Sequence, residues 1–195
     1  MSGNSPRSSN IRRPHPLAVS LADRLRGRPG IVVLEIGTGT GRNSVALNDA
    51  GIQVTSIADD RLEKMADDIV GRRFDAALST HGLLHGTPQS IGAMLDVIAG
   101  GLKSDAPFYV TFGSKRDARF GQGRRINADS FAPVEGDEAG VVHAFFGRAQ
   151  LATLLNRSFV VERLEEHSVD HLAGRWAHLQ PPTNSVHWFA FLHKR

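Results

Sequence analysis

Apolar residues recur along this chain with two different periods, and the two periods alternate. Leu17, Val19, Leu21, Ala22 and Leu25 are spaced as on one face of a helix. Arg13-Pro14-His15-Pro16 precedes them and Gly27-Arg28-Pro29-Gly30 follows, a proline-rich start and a turn-forming stop. Ile31 to Ile36 is a short, β-branched run that reads as a fully buried strand. A helix is expected from Asn43 to about Ala50, where Gly51 stops it. Ile52-Gln53-Val54-Thr55-Ser56-Ile57 alternates as a second strand. Asp59-Asp60 can cap a helix running to about Val70. Phe74 to Ser79 is a third strand, Ser90 to Leu102 a helix with Ile91, Met94, Leu95 and Ile98 on one face, and Pro107 to Phe112 a fourth strand. Residues 113–146 carry no regular period and are read as irregular. A short helix over Gln150 to Asn156 precedes two last strands, Phe159 to Leu164 and Val186 to Leu192.

Strands alternating with helices predict an α/β sheet covered by helices on both faces. The last two strands have no crossover helix between them and are expected to pair antiparallel. The chain has 195 residues, of which 41% are hydrophobic, enough for one domain with a sizeable core. That domain is placed at residues 16–195, after a polar, basic and disordered arm at residues 1–15. With no cysteine, thiolate ligands and thiol nucleophiles are excluded. No apolar run approaches the roughly 18 residues of a membrane-spanning helix, and no secretory signal is evident, so a cytoplasmic protein is expected. Six arginines against Asp23 give residues 1–30 a charge of +5, which leaves −2 for the rest of a chain whose total is +3. The basicity therefore belongs to the arm, and the folded body offers no clear nucleic-acid surface.

The chemistry concentrates where the first strand ends. Glu35-Ile36 runs into Gly37-Thr38-Gly39-Thr40-Gly41, and Arg42-Asn43 opens the next helix. The glycines permit a tight turn and close approach of a ligand to the backbone, and the helix N-terminus offers free N–H groups. A dinucleotide fingerprint counted from Gly37 needs glycine where Arg42 stands, and a triphosphate loop needs Gly-Lys-Ser/Thr. An acid followed by G-x-G-x-G instead resembles motif I of the class I S-adenosylmethionine-dependent methyltransferases. Arg42-Asn43 is similar to the tellurite-resistance and thiopurine branch of small-molecule methyltransferases.

The resemblance implies a Rossmann-like, doubly wound, mostly parallel sheet with an antiparallel last strand. One usual strand is missing between Ile57 and Phe74, which leaves six, in the order 2-1-3-4-6-5. It implies S-adenosyl-L-methionine as cofactor, with Glu35 near its ammonium group and Gly37, Thr38, Gly39, Gly41 and Asn43 forming the turn beneath it. Ser79 and Thr80, after the third strand, line the methyl-donor pocket. Ala58 aligns with the usual ribose-binding acid, and Asp59 or Asp60 is expected to substitute for it.

Methyl transfer needs an acceptor held in line with the methyl group and, for many acceptors, a base. His81, at the tip of the third strand, and His143, in the long segment after the fourth, are the catalytic candidates; His85 reads as structural. Arg116, Arg119, Arg124 and Arg125 form either a clamp for an acidic acceptor or a self-paired lid. The histidines among His167, His171, His178 and His187 show no ligand spacing such as H-E-x-x-H, so no metal site is expected, and Trp176 and Trp188 read as packing residues. Ser79-Thr80-His81-Gly82 stands where base-methylating members carry an Asn/Asp-Pro-Pro-aromatic motif, which disfavours nucleic-acid bases as acceptors. The expected function is methyl transfer to a small molecule. The alternatives are a non-catalytic S-adenosylmethionine-binding module or degenerate paralogue, a nicotinamide oxidoreductase, and a nucleic-acid enzyme anchored by the arm. Oligomeric state is left open.

Overall fold

The computed structural model describes residues 13–39, 41–57, 66–69, 71–136, 138–170 and 184–195. Helix α1 (Pro16–Leu25) buries Leu17, Ala18, Leu21, Ala22 and Leu25. Its cap is His15, whose ring accepts a hydrogen bond from the Leu17 N–H. His15 belongs to the stretch expected to form the arm, yet it is buried; residues 1–12 lie outside the described residues.

Strand β1 (Val32–Ile36) pairs in parallel with β2 (Gln53–Ile57) on one side and β3 (Ala76–Ser79) on the other. Helix α2 (Arg42–Asp49) follows β1, and the short α3 (Ala66–Ile69) follows β2. Helix α4 (Pro88–Gly101) starts at a capping box in which Thr87 and Ser90 exchange side-chain bonds, two residues before the expected Ser90. It leads into β4 (Pro107–Ser114), parallel to β3 and buried at every position. Helix α5 (Arg148–Leu155) precedes the long strands β8 (Phe159–Ser168) and β9 (Val186–Lys194). Strand β9 runs antiparallel to both β4 and β8. The six expected strands therefore stand in the expected order, β2-β1-β3-β4-β9-β8.

The expectation of six strands is corrected to nine among the described residues. The segment read as irregular contains β5 (Arg124–Asn127), β6 (Ser130–Ala132) and β7 (His143–Phe146). β7 pairs in parallel with the last residues of β4, and β6 and β5 add antiparallel beyond it. Strands of three or four residues are too short to show a period, and every residue of β5 is exposed. Their hydrophobic support is an aromatic cluster of Phe120, Phe131 and Phe145. Among the described residues only α3 stands between β2 and β3.

Period-two alternation divides the core between the two faces. Val33, Leu78, Tyr109, Phe189 and Phe191 pack with α1, while Leu34, Ile36, Phe108, Val110, Phe112, Trp188 and Ala190 pack with α4 and α5. Gly113 is where β7 closes on β4: a Cβ there would lie 2.5 Å from the Ala144 carbonyl oxygen. Gly113→Ala should destabilise the protein by about 1–3 kcal/mol through overpacking. Gly147→Ala, whose Cβ would meet only the Lys115 side chain at 4.0 Å, should be near neutral; urea unfolding of both variants checks the difference.

Candidate active site

All four parallel strands β1 to β4 point their carboxyl ends at one edge of the sheet, and antiparallel β9 begins there. This is where open α/β sheets place ligands. The β1 end carries the glycine turn, with Gly37, Gly39 and Gly41 at φ of 73°, 50° and 74°. The Gly37 N–H donates to the Ile57 carbonyl at 2.8 Å and so anchors the turn to β2. A Cβ on Gly39 or Gly41 would meet no atom of the protein within 4 Å, so the space against them is open. Thr38 sits half-buried within the turn, and Gly41 is the N-cap of α2.

Glu35 is 1% exposed. Its Oε2 accepts a short hydrogen bond from the Ser44 hydroxyl, whereas its Oε1 is buried with no hydrogen-bond partner. Burial pushes the Glu35 carboxyl above its ordinary value, opposed by the Ser44 hydrogen bond, the nearby Asn43 amide and the Arg42 charge. A buried carboxylate oxygen without a donor is costly, and a bound cationic N–H group would satisfy it.

Asn43 spends both ends of its amide within the protein. Its Oδ1 accepts from the His15 backbone N–H at 2.9 Å and its Nδ2 donates to Thr80 Oγ1 at 2.9 Å. It therefore holds α1, α2 and the segment after β3 together. Ser79 lies beside Ile36 in the β1–β3 register, and its hydroxyl is buried without a partner.

His81 follows Thr80 at φ 151°, a sparsely populated backbone conformation for a residue with a side chain. The next residue explains its position. A Cβ on Gly82 would lie 3.0 Å from the Ile36 carbonyl oxygen and 3.1 Å from Gly37 Cα, so the 3-10 turn Gly82–Leu84 presses directly on the glycine turn. The His81 ring stands 5.8 Å from the His15 ring and 5.4 Å from the His187 ring, centroid to centroid. Burial drives the His81 pKa well below the imidazole value, helped by the neighbouring His187, His15, Arg42 and Arg119. His15 is pushed down to about 3 and His187 to about 4, in both cases chiefly by burial. Three neutral imidazoles thus converge at the sheet edge.

His187 is oriented from behind. Arg119, which can only donate, places Nη2 3.1 Å from His187 Nε2, so Nε2 accepts and the proton sits on Nδ1, buried without a partner. Arg119 in turn is gripped by both oxygens of Asp117, at 2.9 and 3.1 Å. The arginine clamp read from the sequence is largely self-paired: Lys115 with Asp129, Arg116 with Glu166, Arg119 with Asp117. Arg124 and Arg125 are exposed on β5. His143, the other catalytic candidate, opens β7 and contacts His85 and Glu138. Trp188 is a core residue whose Nε1 donates to the Phe146 carbonyl.

No family model and no curated protein sequence matches the chain. Solved structures do. An S-adenosylmethionine-dependent methyltransferase from Methanosarcina mazei aligns with TM-score 0.61 at 16% identity, covering 84% of this chain and 92% of that one. The 1,6-didemethyltoxoflavin-N1-methyltransferase of Burkholderia thailandensis, bound to its substrate and S-adenosylhomocysteine, aligns with TM-score 0.61 at 20% identity over 96% and 79%. A Streptomyces caelestis methyltransferase aligns with TM-score 0.59 at 14% identity over 100% and 99%. The chain has the class I methyltransferase fold. Within this methyltransferase fold the structure gathers Glu35, Gly37, Thr38, Gly39, Gly41, Asn43, Ser79, Thr80 and His81 at one edge of the sheet. Asp59, with Ala58 and Asp60, lies outside the described residues, as do His171, Arg175, Trp176 and His178.

Sequence reasoning missed His15 and His187 as members of the site. The signal for His187 was present: it extends the Phe189–Phe191 stripe by two residues, so β9 buries it on the α1 face. The buried neutral histidines also dictate acid behaviour. With folded values of about 3 and 4 against 6.5, His15 and His187 contribute stability that is fully present above pH 6.5 and is lost as the unfolded chain takes up their protons below it. Each contributes a slope of about 1.4 kcal/mol per pH unit at most, while Glu35 opposes weakly. The urea midpoint should therefore fall steadily from pH 7 to pH 4.5, and more shallowly in His187→Gln.

Proposed function

We propose that this protein transfers a methyl group from S-adenosylmethionine to a small-molecule acceptor. The observation that carries the reading is the unpartnered Glu35 oxygen at the base of a left-handed glycine turn with open space against Gly39 and Gly41. A buried carboxylate beside an unobstructed backbone fits a ligand that carries an ammonium group and packs closely on the chain. When bound, S-adenosylmethionine supplies an electrophilic methyl group. Glu35 receives the ammonium group, the Gly37–Gly41 turn carries the amino-acid portion, and Ser79 and Thr80 line the donor pocket. Asp59 or Asp60 is assigned to the ribose. The tellurite-resistance and thiopurine branch is supported by Arg42-Asn43, and Asn43's bridge to His15 and Thr80 gives that pair a structural reason.

The acceptor side is formed by His15, His81, His187 and Arg119. His81 is the residue assigned to take the acceptor's proton, at an imidazole nitrogen that is already unprotonated at neutral pH. So weak a base suits an acceptor whose own proton is acidic. The neighbours agree in chemistry: those of like fold include enzymes named for toxoflavin precursors, magnesium protoporphyrin IX and mitomycin.

Calorimetric titration with S-adenosylmethionine and S-adenosylhomocysteine, with NADH as control, tests the reading. Micromolar binding of the sulfur compounds alone is expected, and Gly39→Ala should weaken it at least about tenfold while costing only about 1–2 kcal/mol of stability. Absence of binding at millimolar ligand overturns the proposal; binding without turnover on any acceptor points to the non-catalytic module. With an acceptor in hand, His81→Ala should lower turnover about 100-fold and leave cofactor affinity unchanged. The wild-type rate should be flat from pH 6 to 8, because His81 is deprotonated throughout.

A further inference from the structure

His85, Glu138 and His143 come from three separate places in the chain: the turn before α4, the loop between β6 and β7, and the start of β7. The fold brings their ligating atoms within 4.8 Å of one another. The backbone fixes the pair of histidines first. His85 and His143 face each other in an isolated antiparallel bridge, the Gly86 N–H donates to the Val142 carbonyl at 2.7 Å, and the two rings meet edge to face at 5.0 Å. Glu138 then spans both, with Oε1 3.6 Å from His85 Nε2 and Oε2 3.1 Å from His143 Nε2.

The tautomer of His143 decides what this arrangement is for. Its Nδ1 lies 3.0 Å from the Val141 carbonyl oxygen, which can only accept, so Nδ1 carries the proton. Nε2 is then the nitrogen turned toward the Glu138 carboxylate. It is buried and makes no aligned hydrogen bond, although a carboxylate oxygen sits 3.1 Å away. A positive centre between the nitrogen and the carboxylate oxygen would be held by both. A carbonyl holding the far nitrogen of a histidine is also the support that metal-binding histidines use.

The geometry points to a divalent first-row transition ion, of the zinc, manganese or ferrous class, held by His85 Nε2, His143 Nε2 and the Glu138 carboxylate. Bonds of about 2.0–2.2 Å place neighbouring ligand atoms about 2.8–3.6 Å apart, from octahedral to tetrahedral angles, and two of the three separations here are 3.1 and 3.6 Å. Imidazole and carboxylate together suit this class of ion better than calcium or magnesium. Side-chain exposure is 4% for His143 but 32% for His85 and 26% for Glu138, so one flank is closed and the other open. Three protein ligands with an open flank describe a site that keeps positions for an exchangeable ligand. Glu138 and His143 both act electrostatically on His187, so the ion stands beside the histidine chamber. If the methyl-transfer reading holds, on which this last step alone rests, the exchangeable ligand is an oxygen of the acceptor, whose proton the ion makes easier to lose.

The test uses the full chain, stripped with chelator and titrated calorimetrically with Zn2+ and Mn2+, with Co2+ as a visible-absorption probe. One ion per chain is expected, with a raised melting temperature on loading. His85→Ala and Glu138→Gln, both at half-exposed positions, should each weaken binding about 100-fold, and circular dichroism checks that they fold. His167→Gln and His193→Gln should change nothing. No binding at millimolar ion, or binding that survives both ligand variants, overturns the site. Titration of the same preparations with S-adenosylmethionine separates the two proposals. Metal binding without cofactor binding keeps the metal site and removes the methyl-transfer reading, and the reverse result does the opposite.

Discussion

The side chain of Asn43 is the joint on which the site depends. A buried amide has two donors and an acceptor to satisfy, and here the acceptor goes to residue 15 and a donor to residue 80. Segments separated by 28 and 37 residues are thereby held at one point, at the first turn of α2. Were the amide replaced by an apolar group, the His15 N–H would be left buried and unpaired, at a cost comparable to a lost hydrogen bond and more. The ring of His15 would also lose its place beside His81. The glycine turn leaves open space against it, and Asn43 holds His15 and Thr80 beside that turn.

The histidine chamber is expensive in the same sense. Each imidazole is held neutral by burial, and each gives up hydration that the unfolded chain keeps. Part of the cost is recovered by ring contacts, His15 on Phe189 and His187 on His81. Part is offset by the Asp117–Arg119 pair, which fixes one nitrogen of His187 and is itself tied to the Val186 N–H. A chamber of this kind sees no net charge of its own at neutral pH, so it selects by shape and by the placement of donors and lone pairs.

How much of this was legible in the sequence follows from the length of each signal. Strand β1 with its acid and glycines is a contiguous pattern, and so are β3, β4 and β9; the order of the six main strands came from the family resemblance that the β1 acid and glycines carry. Strands β5 to β7 were not legible because three- and four-residue strands owe their existence to pairing with β4, a tertiary fact. Glu35 and the turn could be named because they are neighbours in the chain. The triad of His85, Glu138 and His143 could not, since it spans three elements and obeys no local spacing. Even so, the His187 position was available from alternation alone, two residues before Phe189 in a strand that starts at the functional edge.

The contact of Gly82 with Ile36 and Gly37 has an implication for how such a protein can change over time. The histidine cluster draws on α1, the loop after β4 and the start of β9, each of which can drift in sequence without touching the glycine turn. Residue 82 is where that freedom ends. Its missing side chain lets the His81 turn ride on the glycine turn, so the two turns share one surface of backbone. Substitution is open to this scaffold at the periphery of the cluster, while the distance between the two turns is inherited unchanged.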